Sequence, residues 1–187
     1  GREVSYNYDS VGNPIALKLP NGDSFNYGYN KLNQLKSLKT PTGYKFNYQY
    51  DALGHRTKLS YPNGREATYD YDAAGRLTKL NSGLNNYNYN YDSTSNIKSI
   101  DGPNGTREYN YDKLDRLTGV SYPEGESINY SYDAMDNRIE KTTADGATEY
   151  RYNELNQLIS AGDISYEYDK EGKLIKKETS SETFNYD

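Results

Sequence analysis

The sequence predicts an all-β protein built from tandem β-hairpins of about 20 residues each. Three observations lead to this prediction: tyrosines recur in Tyr-x-Tyr pairs, apolar and polar residues alternate before each pair, and turn-forming residues stand at fixed places after it. Nineteen of the 23 tyrosines belong to these pairs, and successive pairs are 16 to 21 residues apart. The second tyrosines of the pairs are Tyr8, Tyr29, Tyr50, Tyr71, Tyr91, Tyr111, Tyr132, Tyr152, Tyr168 and Tyr186.

The segment that leads into each pair alternates with a period of two. Phe25, Tyr27 and Tyr29, for example, are separated by Asn26 and Gly28. This pattern is typical of a strand with one aromatic and one polar face. The second half of each unit also alternates, and most units have an apolar residue nine places after the marker tyrosine. These residues are Leu17, Leu38, Leu59, Leu80, Ile100 and Val120, and lysines replace them at Lys141 and Lys177.

The residue after each pair predicts a capped turn. It is aspartate in most repeats and asparagine at Asn30 and Asn153, and its side-chain oxygen can accept backbone N–H bonds at the start of a type I turn. Three residues further on, all but one of the residues are of types that tolerate positive φ, the exception being a serine. These positions are Gly12, Asn33, Gly54, Gly75, Ser95, Asp115, Asp136, Asn156 and Gly172.

A second turn follows the second strand in several repeats and has the form Pro-x-Gly. Its examples are Pro20-Asn21-Gly22, Pro41-Thr42-Gly43, Pro62-Asn63-Gly64, Pro103-Asn104-Gly105 and Pro123-Glu124-Gly125. Proline presets φ for the first turn position, and glycine supplies the left-handed residue of a bulge. One repeat is therefore a strand, a turn, a second strand and a second turn.

About nine such repeats predict about 18 strands in one extended antiparallel sheet, which should twist and coil. We expect residues 1–187 to form a single array cut from a longer protein, because the sequence stops inside a motif at TFNYD. The tyrosine pairs should form two rows across the strands, with each ring touching its equivalent one repeat away. Such aromatic contacts would replace the core that the scarce aliphatic residues cannot build.

Composition argues against several classes of protein. The net charge is −5 with scattered lysines and arginines, which disfavours nucleic acid and anionic membranes as partners. The chain has no cysteine, so it cannot form disulfides or thiolate metal sites. No apolar stretch approaches the roughly 18 residues of a membrane span.

Candidate catalytic residues are few, and the turns explain them more simply. His55 is the only histidine, and in other repeats its position holds Asn, Gln, Arg or Lys, so we interpret it as a substituted surface position. Asp112 with Asp115, Asp133 with Asp136, and Asp70 with Asp72 could suggest glycosidase acids or calcium ligands. Their spacing recurs as part of the turn pattern, so we expect no enzyme activity, no metal and no cofactor.

The motifs YDALGHR, YDAAGRL, YDKLDRL, YDAMDNR and YDSVGN, each followed at a distance by a second turn, resemble the RHS or YD (tyrosine-aspartate) repeats. The resemblance covers essentially the whole chain. In that family the repeats form a spiralling β-sheet that closes into a shell, in bacterial polymorphic toxins, insecticidal toxin complexes and teneurins. It implies a secreted or surface-displayed bacterial protein whose repeats are part of a β-shell or stalk around a toxin or effector domain.

An alternative is an adhesin-like module that binds carbohydrate or a partner through exposed tyrosines. The expected partners are the neighbouring repeats of the parent chain, an enclosed toxin domain or a cell-surface glycan, and other copies through open sheet edges. The residues expected to form the structural repeat motif are Tyr6, Tyr8, Asp9, Gly12, Tyr27, Tyr29, Tyr48, Tyr50, Asp51, Gly54, Tyr69, Tyr71, Asp72, Gly75, Tyr89, Tyr91, Asp92, Tyr109, Tyr111, Asp112, Tyr130, Tyr132, Asp133, Tyr150, Tyr152, Tyr166, Tyr168, Asp169 and Gly172.

Overall fold

A computed structural model describes residues 3–186, which contain 19 antiparallel strands and no helix. The all-β prediction of tandem hairpins is confirmed. No helix in this range is long and apolar enough to cross a membrane. The strands are β1 Ser5–Tyr8, β2 Pro14–Lys18, β3 Ser24–Tyr29, β4 Leu35–Lys39, β5 Lys45–Tyr50, β6 Arg56–Ser60, β7 Glu66–Tyr71, β8 Leu77–Asn81, β9 Asn86–Tyr91, β10 Ile97–Gly102, β11 Gly105–Tyr111, β12 Leu117–Ser121, β13 Ser127–Tyr132, β14 Arg138–Thr143, β15 Gly146–Tyr152, β16 Leu158–Ala161, β17 Ile164–Tyr168, β18 Leu174–Glu178 and β19 Thr183–Asn185.

The chain divides into two compact units. The first ends at Asn90 and also takes in Asp101–Pro103, and the second comprises Tyr91–Ile100 and the residues from Asn104 onwards. In the first unit each strand from β1 to β9 pairs antiparallel with the next one along the chain. In the second unit β11 to β19 pair in the same way. Each repeat therefore contacts its sequence neighbours within its unit, as expected of a repeat protein.

Strands that carry tyrosine pairs alternate with strands that carry aliphatic residues. Tyr48 on β5, for example, lies opposite Leu59 on β6, which in turn lies opposite Ala67 on β7. Burial is shallow, because the fully buried hydrophobic residues of the described range are Ala67 and Val120. Most apolar side chains of the sheet are half-buried, which agrees with a core that is thin and rich in tyrosine.

A β-bulge lies next to the Asp or Asn turn of most repeats; bulges were expected at the turns, but the sequence did not show which residue is extra. In the hairpin of β5 and β6, Gln49 pairs with Lys58 but Tyr50 pairs with Arg56, so Thr57 is an extra residue on the second strand. The same shift occurs at the second tyrosine of β1, β3, β7, β11, β13, β15 and β17. A bulge increases local twist and redirects nearby side chains, so it sets the direction of each marker tyrosine.

The Pro-x-Gly turns are less uniform than predicted. Gly22, Gly43, Gly64 and Gly125 have φ between 80° and 91° and donate to the carbonyl three residues earlier. Gly105 has a φ of 102°, but only two residues separate β10 from β11 there. The tighter connection places Gly105 on β11 itself.

Candidate functional site: the tyrosine and aspartate turns

The residue after each tyrosine pair holds the turn through one side-chain oxygen. In all nine turns its Oδ1 accepts the backbone N–H groups two and four residues further on, at 2.8–3.0 Å. The residues that supply this oxygen are Asp9, Asn30, Asp51, Asp72, Asp92, Asp112, Asp133, Asn153 and Asp169. Because asparagine makes the same two bonds, the turn requires the oxygen and not the charge.

The positive φ that this turn needs is present in all nine repeats. The four glycines at this position have φ from 77° to 91°, and Asn33, Asp115, Asp136 and Asn156 have φ from 59° to 67°. Ser95, the residue type that tolerates positive φ least well, has a φ of 75°. The turn therefore imposes its backbone conformation even where the residue does not favour it.

The hydrogen bonds of the turn also affect ionisation. The backbone N–H of Arg76 and then its guanidinium lower the pKa of Asp72 below the ordinary value of 3.8. The pKa of Asp9 and of Asp133 is lowered first by the side-chain amides of Asn13 and Asn137. These carboxylates therefore stay ionised to a lower pH than an ordinary aspartate does.

A row of polar side chains connects successive turns along one edge, which the sequence analysis missed. In most turns the side chain of the residue after the positive-φ position forms a hydrogen bond with the capping Asp or Asn of the same turn. In several turns this side chain also donates a hydrogen bond to the turn of the next repeat. Arg116, for instance, donates to Asp112 Oδ2 at 2.7 Å and to Asp136 Oδ1 of the next repeat at 2.8 Å. Asn96 donates to Asp115 at 2.7 Å, and Asn137 donates to Asn156 at 3.2 Å.

His55 occupies this linking position, and its side chain is 30% exposed. Its Nδ1 lies 3.0 Å from Asp51 Oδ2, and its ring stacks on Tyr71 with a centroid distance of 4.8 Å. A shallow cleft of about 390 Å³ runs past this histidine between the turns that start at Asp51 and Asp72. No group of three His, Cys, Asp or Glu side chains suited to a metal ion occurs in residues 3–186.

The paired carboxylates singled out from the sequence act separately. Asp112 caps its turn, while Asp115 accepts hydrogen bonds from Thr94 and Asn96 of the preceding repeat. Asp72 caps its turn, whereas Asp70 lies on β7 opposite Lys79. Their positions are accounted for by the turns and the strand pairing.

The second tyrosine of a pair fastens its hairpin to the preceding one. Its hydroxyl donates to the carbonyl at the start of the second strand of the previous repeat, at 2.8–3.1 Å. The described bonds run from Tyr29 to Pro14, Tyr50 to Leu35, Tyr71 to Arg56, Tyr111 to Ile97, Tyr132 to Leu117, Tyr152 to Arg138 and Tyr168 to Leu158. The backbone pairing between β4 and β5 runs from Lys39 to Ser37 and does not include Leu35, so the Tyr50 hydroxyl satisfies a carbonyl at the point where that pairing ends.

The rings themselves are arranged differently from our expectation. The close ring pairs among described residues include Tyr6 with Tyr8, Phe46 with Tyr61 and His55 with Tyr71. None of these joins equivalent tyrosines of successive repeats. The physical reason is that an aliphatic strand lies between two tyrosine strands, so equivalent rings are separated by about 9.6 Å, twice the interstrand distance, which is too far for ring contact. Tyrosine links the repeats through its hydroxyl.

Two arginines lie among the tyrosines at a position where other repeats have Leu, Ile or Pro. The Arg56 guanidinium lies 4.5 Å from the centre of the Tyr69 ring. The Arg138 guanidinium lies 4.4 Å from the centre of Tyr150 and 5.7 Å from that of Tyr130. The sequence shows both substitutions, but the tyrosine rings around the two guanidinium groups could be identified only once the pairing register of the strands was known.

Apolar side chains also project from the aspartate turns, two residues after the capping residue. These side chains are 65–79% exposed and belong to Val11, Leu32, Leu53, Leu114, Met135 and Leu155. Only their backbone N–H groups, which donate to the capping oxygen, are used by the turn. The side chains contribute little to folding within the described residues.

These features define a class: all-β proteins of tandem hairpins whose repeats are joined by tyrosine hydroxyls and capped turns. The family model described as "Teneurin YD-shell" matches residues 1–102 and 96–187, so the chain belongs to the YD-shell family. The predicted relationship to the RHS/YD repeats is confirmed. A comparison with curated proteins found no significant match.

Solved structures of toxin complexes have the same fold. A Photorhabdus luminescens Tc holotoxin pore carrying a TccC3 point mutation matches 93% of the chain with a TM-score of 0.71 and 15% identity. A TcdB2-TccC3 structure without the hypervariable C-terminal region matches 94% with a TM-score of 0.73 and 15% identity. A TcdB2-TccC3-Cdc42 structure matches 94% with a TM-score of 0.72 and 15% identity. This chain spans 12% of the length of each of these solved chains.

Proposed function

We propose that this chain is a non-catalytic wall segment of a larger β-shell or stalk that encloses or displays a toxin or effector domain. The observation that carries the proposal is the use of its recurring polar residues: the capping oxygens, tyrosine hydroxyls and linking side chains bond to the turns and to neighbouring repeats. Side chains committed in this way act as structural links. The YD-shell match and the toxin-complex folds support a shell.

The proposal includes the setting of the segment. Residues 1–187 are one array of about nine repeats within a longer protein, and that protein is secreted or displayed on the surface of a bacterium. The chain spans 12% of the solved toxin chains, which supports a small part of a larger wall. Its partners are then the neighbouring repeats of the parent chain and the enclosed domain.

Protease protection in the full-length parent protein tests the enclosure. Phenylalanine at Tyr50, Tyr71 and Tyr132 removes three links between hairpins and should loosen this part of the wall. We expect the enclosed domain to resist protease in the wild type and to be cleaved faster in the triple variant. The matched control is Tyr44→Phe, because Tyr44 lies inside the array, is 60% exposed, and its hydroxyl makes no hydrogen bond to the described residues. Equal cleavage rates in the wild type and the triple variant would contradict the proposal.

A second candidate function is recognition of carbohydrate by tyrosine rings. Tyr6 and Tyr8 favour it, because they are more than half exposed and stack at a centroid distance of 6.2 Å. A glycan array separates the two functions: binding lost on changing Tyr6 and Tyr8 to serine supports recognition. Absence of binding, together with a lower midpoint of unfolding on changing Tyr50, supports the scaffold.

A further inference from the structure

We propose that Arg56 and Arg138 form two equivalent sites that bind carboxylate side chains of an acidic polypeptide segment. In each unit one arginine stands at the position that is leucine at Leu35, Leu77 and Leu117, six residues after a marker tyrosine. Each has its guanidinium over the first tyrosine of the following pair, Tyr69 or Tyr150. The same arrangement therefore occurs once in each unit.

Both arginines are held at their backbone as well as at their side chain. The Tyr71 hydroxyl donates to the Arg56 carbonyl at 3.0 Å, and the Tyr152 hydroxyl donates to the Arg138 carbonyl at 3.1 Å. One tyrosine of the following pair thus fixes the main chain of the arginine, and the other supports its guanidinium. A cation fixed in this way loses little further freedom when it binds an anion.

The guanidinium groups lack the anionic partner that Arg76, Arg116 and Arg151 have. Arg76 and Arg116 pair with Asp72 and Asp112 at 2.7 Å. Neither Arg56 nor Arg138 forms an ion pair or donates a side-chain hydrogen bond within residues 3–186. The Nε atom of each is buried without a hydrogen-bond partner. Placing a half-buried cation without a counter-ion where leucine suffices is costly for folding, which indicates that the charge serves binding.

The chemistry of the site selects the ligand. A planar guanidinium with free N–H groups matches a carboxylate, which it can bind through two parallel hydrogen bonds. One face of the Tyr69 or Tyr150 ring is covered by the guanidinium, so that face cannot stack on a sugar ring. The hydroxyls of Tyr69 and Tyr150 form no hydrogen bond to the described residues and can bond to a peptide backbone. Glutamate or aspartate on an extended peptide fits these groups better than a glycan.

Titration of the 187-residue chain with a synthetic peptide of alternating Glu and Gly, followed by NMR, tests this inference. We expect saturable shifts at the residues around Arg56 and Arg138. Leucine at both positions should weaken binding by at least about tenfold while raising the midpoint of thermal unfolding, because leucine is the usual residue there. Lysine at both positions retains the charge but loses the planar pair of donors, so binding should also weaken.

The matched control replaces Arg65 and Arg151 with leucine. Both are exposed, and the change in net charge is the same. We expect it to leave peptide binding unchanged apart from a small general effect of charge. Equal losses in the two double variants, or no binding by the wild type up to about 10 mM peptide, would overturn the inference. Binding of polygalacturonate but not of the peptide, with the same dependence on Arg56 and Arg138, would also overturn the choice of an acidic polypeptide.

Discussion

Removing a single hydroxyl tests whether tyrosine joins the hairpins in the way the structure indicates. In Tyr50→Phe the ring is retained but the 2.8 Å bond to the Leu35 carbonyl is lost. A neutral hydrogen bond of this kind contributes a net amount of about 1 kcal/mol. Tyr50→Ala additionally removes a half-buried ring, which should bring the total loss to about 3 kcal/mol, since a fully buried aromatic ring costs 3–5 kcal/mol.

Urea unfolding followed by far-UV circular dichroism measures these losses. With a denaturant dependence of roughly 2 kcal/mol per molar urea, Tyr50→Phe should lower the midpoint by about 0.5 M. Combining it with Tyr132→Phe should double the shift, because the two bonds lie in different repeats and do not share partners. Tyr8→Phe, at an exposed hydroxyl, should change the midpoint very little.

Two results would refute the reasoning. If Tyr50→Phe and Tyr8→Phe shift the midpoint equally, the hydroxyl bond does not fasten one hairpin to the next. If Tyr50→Phe leaves the midpoint unchanged but Tyr50→Ala lowers the free energy of unfolding by several kcal/mol, ring packing alone joins the repeats.

Three further predictions concern the turns and the tyrosine face. Asp72→Asn should keep the turn, as Asn30 does, but reduce the loss of stability in acid. The pKa of Asp72 is lowered in the folded state, so the stabilisation from its carboxylate is present above pH 3.8. This stabilisation is lost as the pH falls through the lower folded-state value. An acid titration in which wild type and variant lose stability in parallel would contradict this. Burial raises the pKa of Tyr71 above its ordinary value of 10.0, so the contribution of Tyr71 to stability should be constant below about pH 10 and decrease above it. The alkaline loss of stability measured by circular dichroism should therefore be smaller in Tyr71→Phe. Leu53→Thr, which introduces the residue found at Thr94, should change the free energy of unfolding by less than about 0.5 kcal/mol, because Leu53 is 79% exposed; a loss above about 1 kcal/mol in urea unfolding would show that its side chain packs.

The backbone of this protein could be predicted well from the sequence because its signals are local and repeated. Alternation gave the strands, and the spacing from Asp51 to Gly54 gave the turn even where the same position holds Ser95. The prediction that equivalent tyrosine rings of successive repeats touch was wrong. The sequence predicted a second strand in each repeat, but the expectation that equivalent rings touch did not allow for the width of that strand. In the structure β6 separates the tyrosines of β5 and β7, and hydroxyl bonds join the repeats instead of ring stacking.

The setting of Arg56 and Arg138 could not be predicted for a related reason. Their positions in the repeat were countable, yet the direction of their side chains depends on a bulge that shifts the pairing by one residue at Tyr50 and Tyr132. Before the register is known, the side chain of an arginine at this position could be assigned to the tyrosine face or to solvent with equal support. The missing anionic partner is likewise visible only once the carboxylates are assigned to their turns.

The strict alternation of two strand types restricts how proteins of this kind can change in length. Losing one strand would bring two tyrosine strands side by side, reverse the direction of every later strand and leave hydroxyls without their carbonyls. Losing or duplicating a whole hairpin keeps a tyrosine strand next to an aliphatic strand, and every remaining tyrosine hydroxyl still has a carbonyl to bond. Genes that encode such arrays should therefore grow and shrink in steps of about 20 codons, so that the number of repeats can evolve without redesign of the repeat.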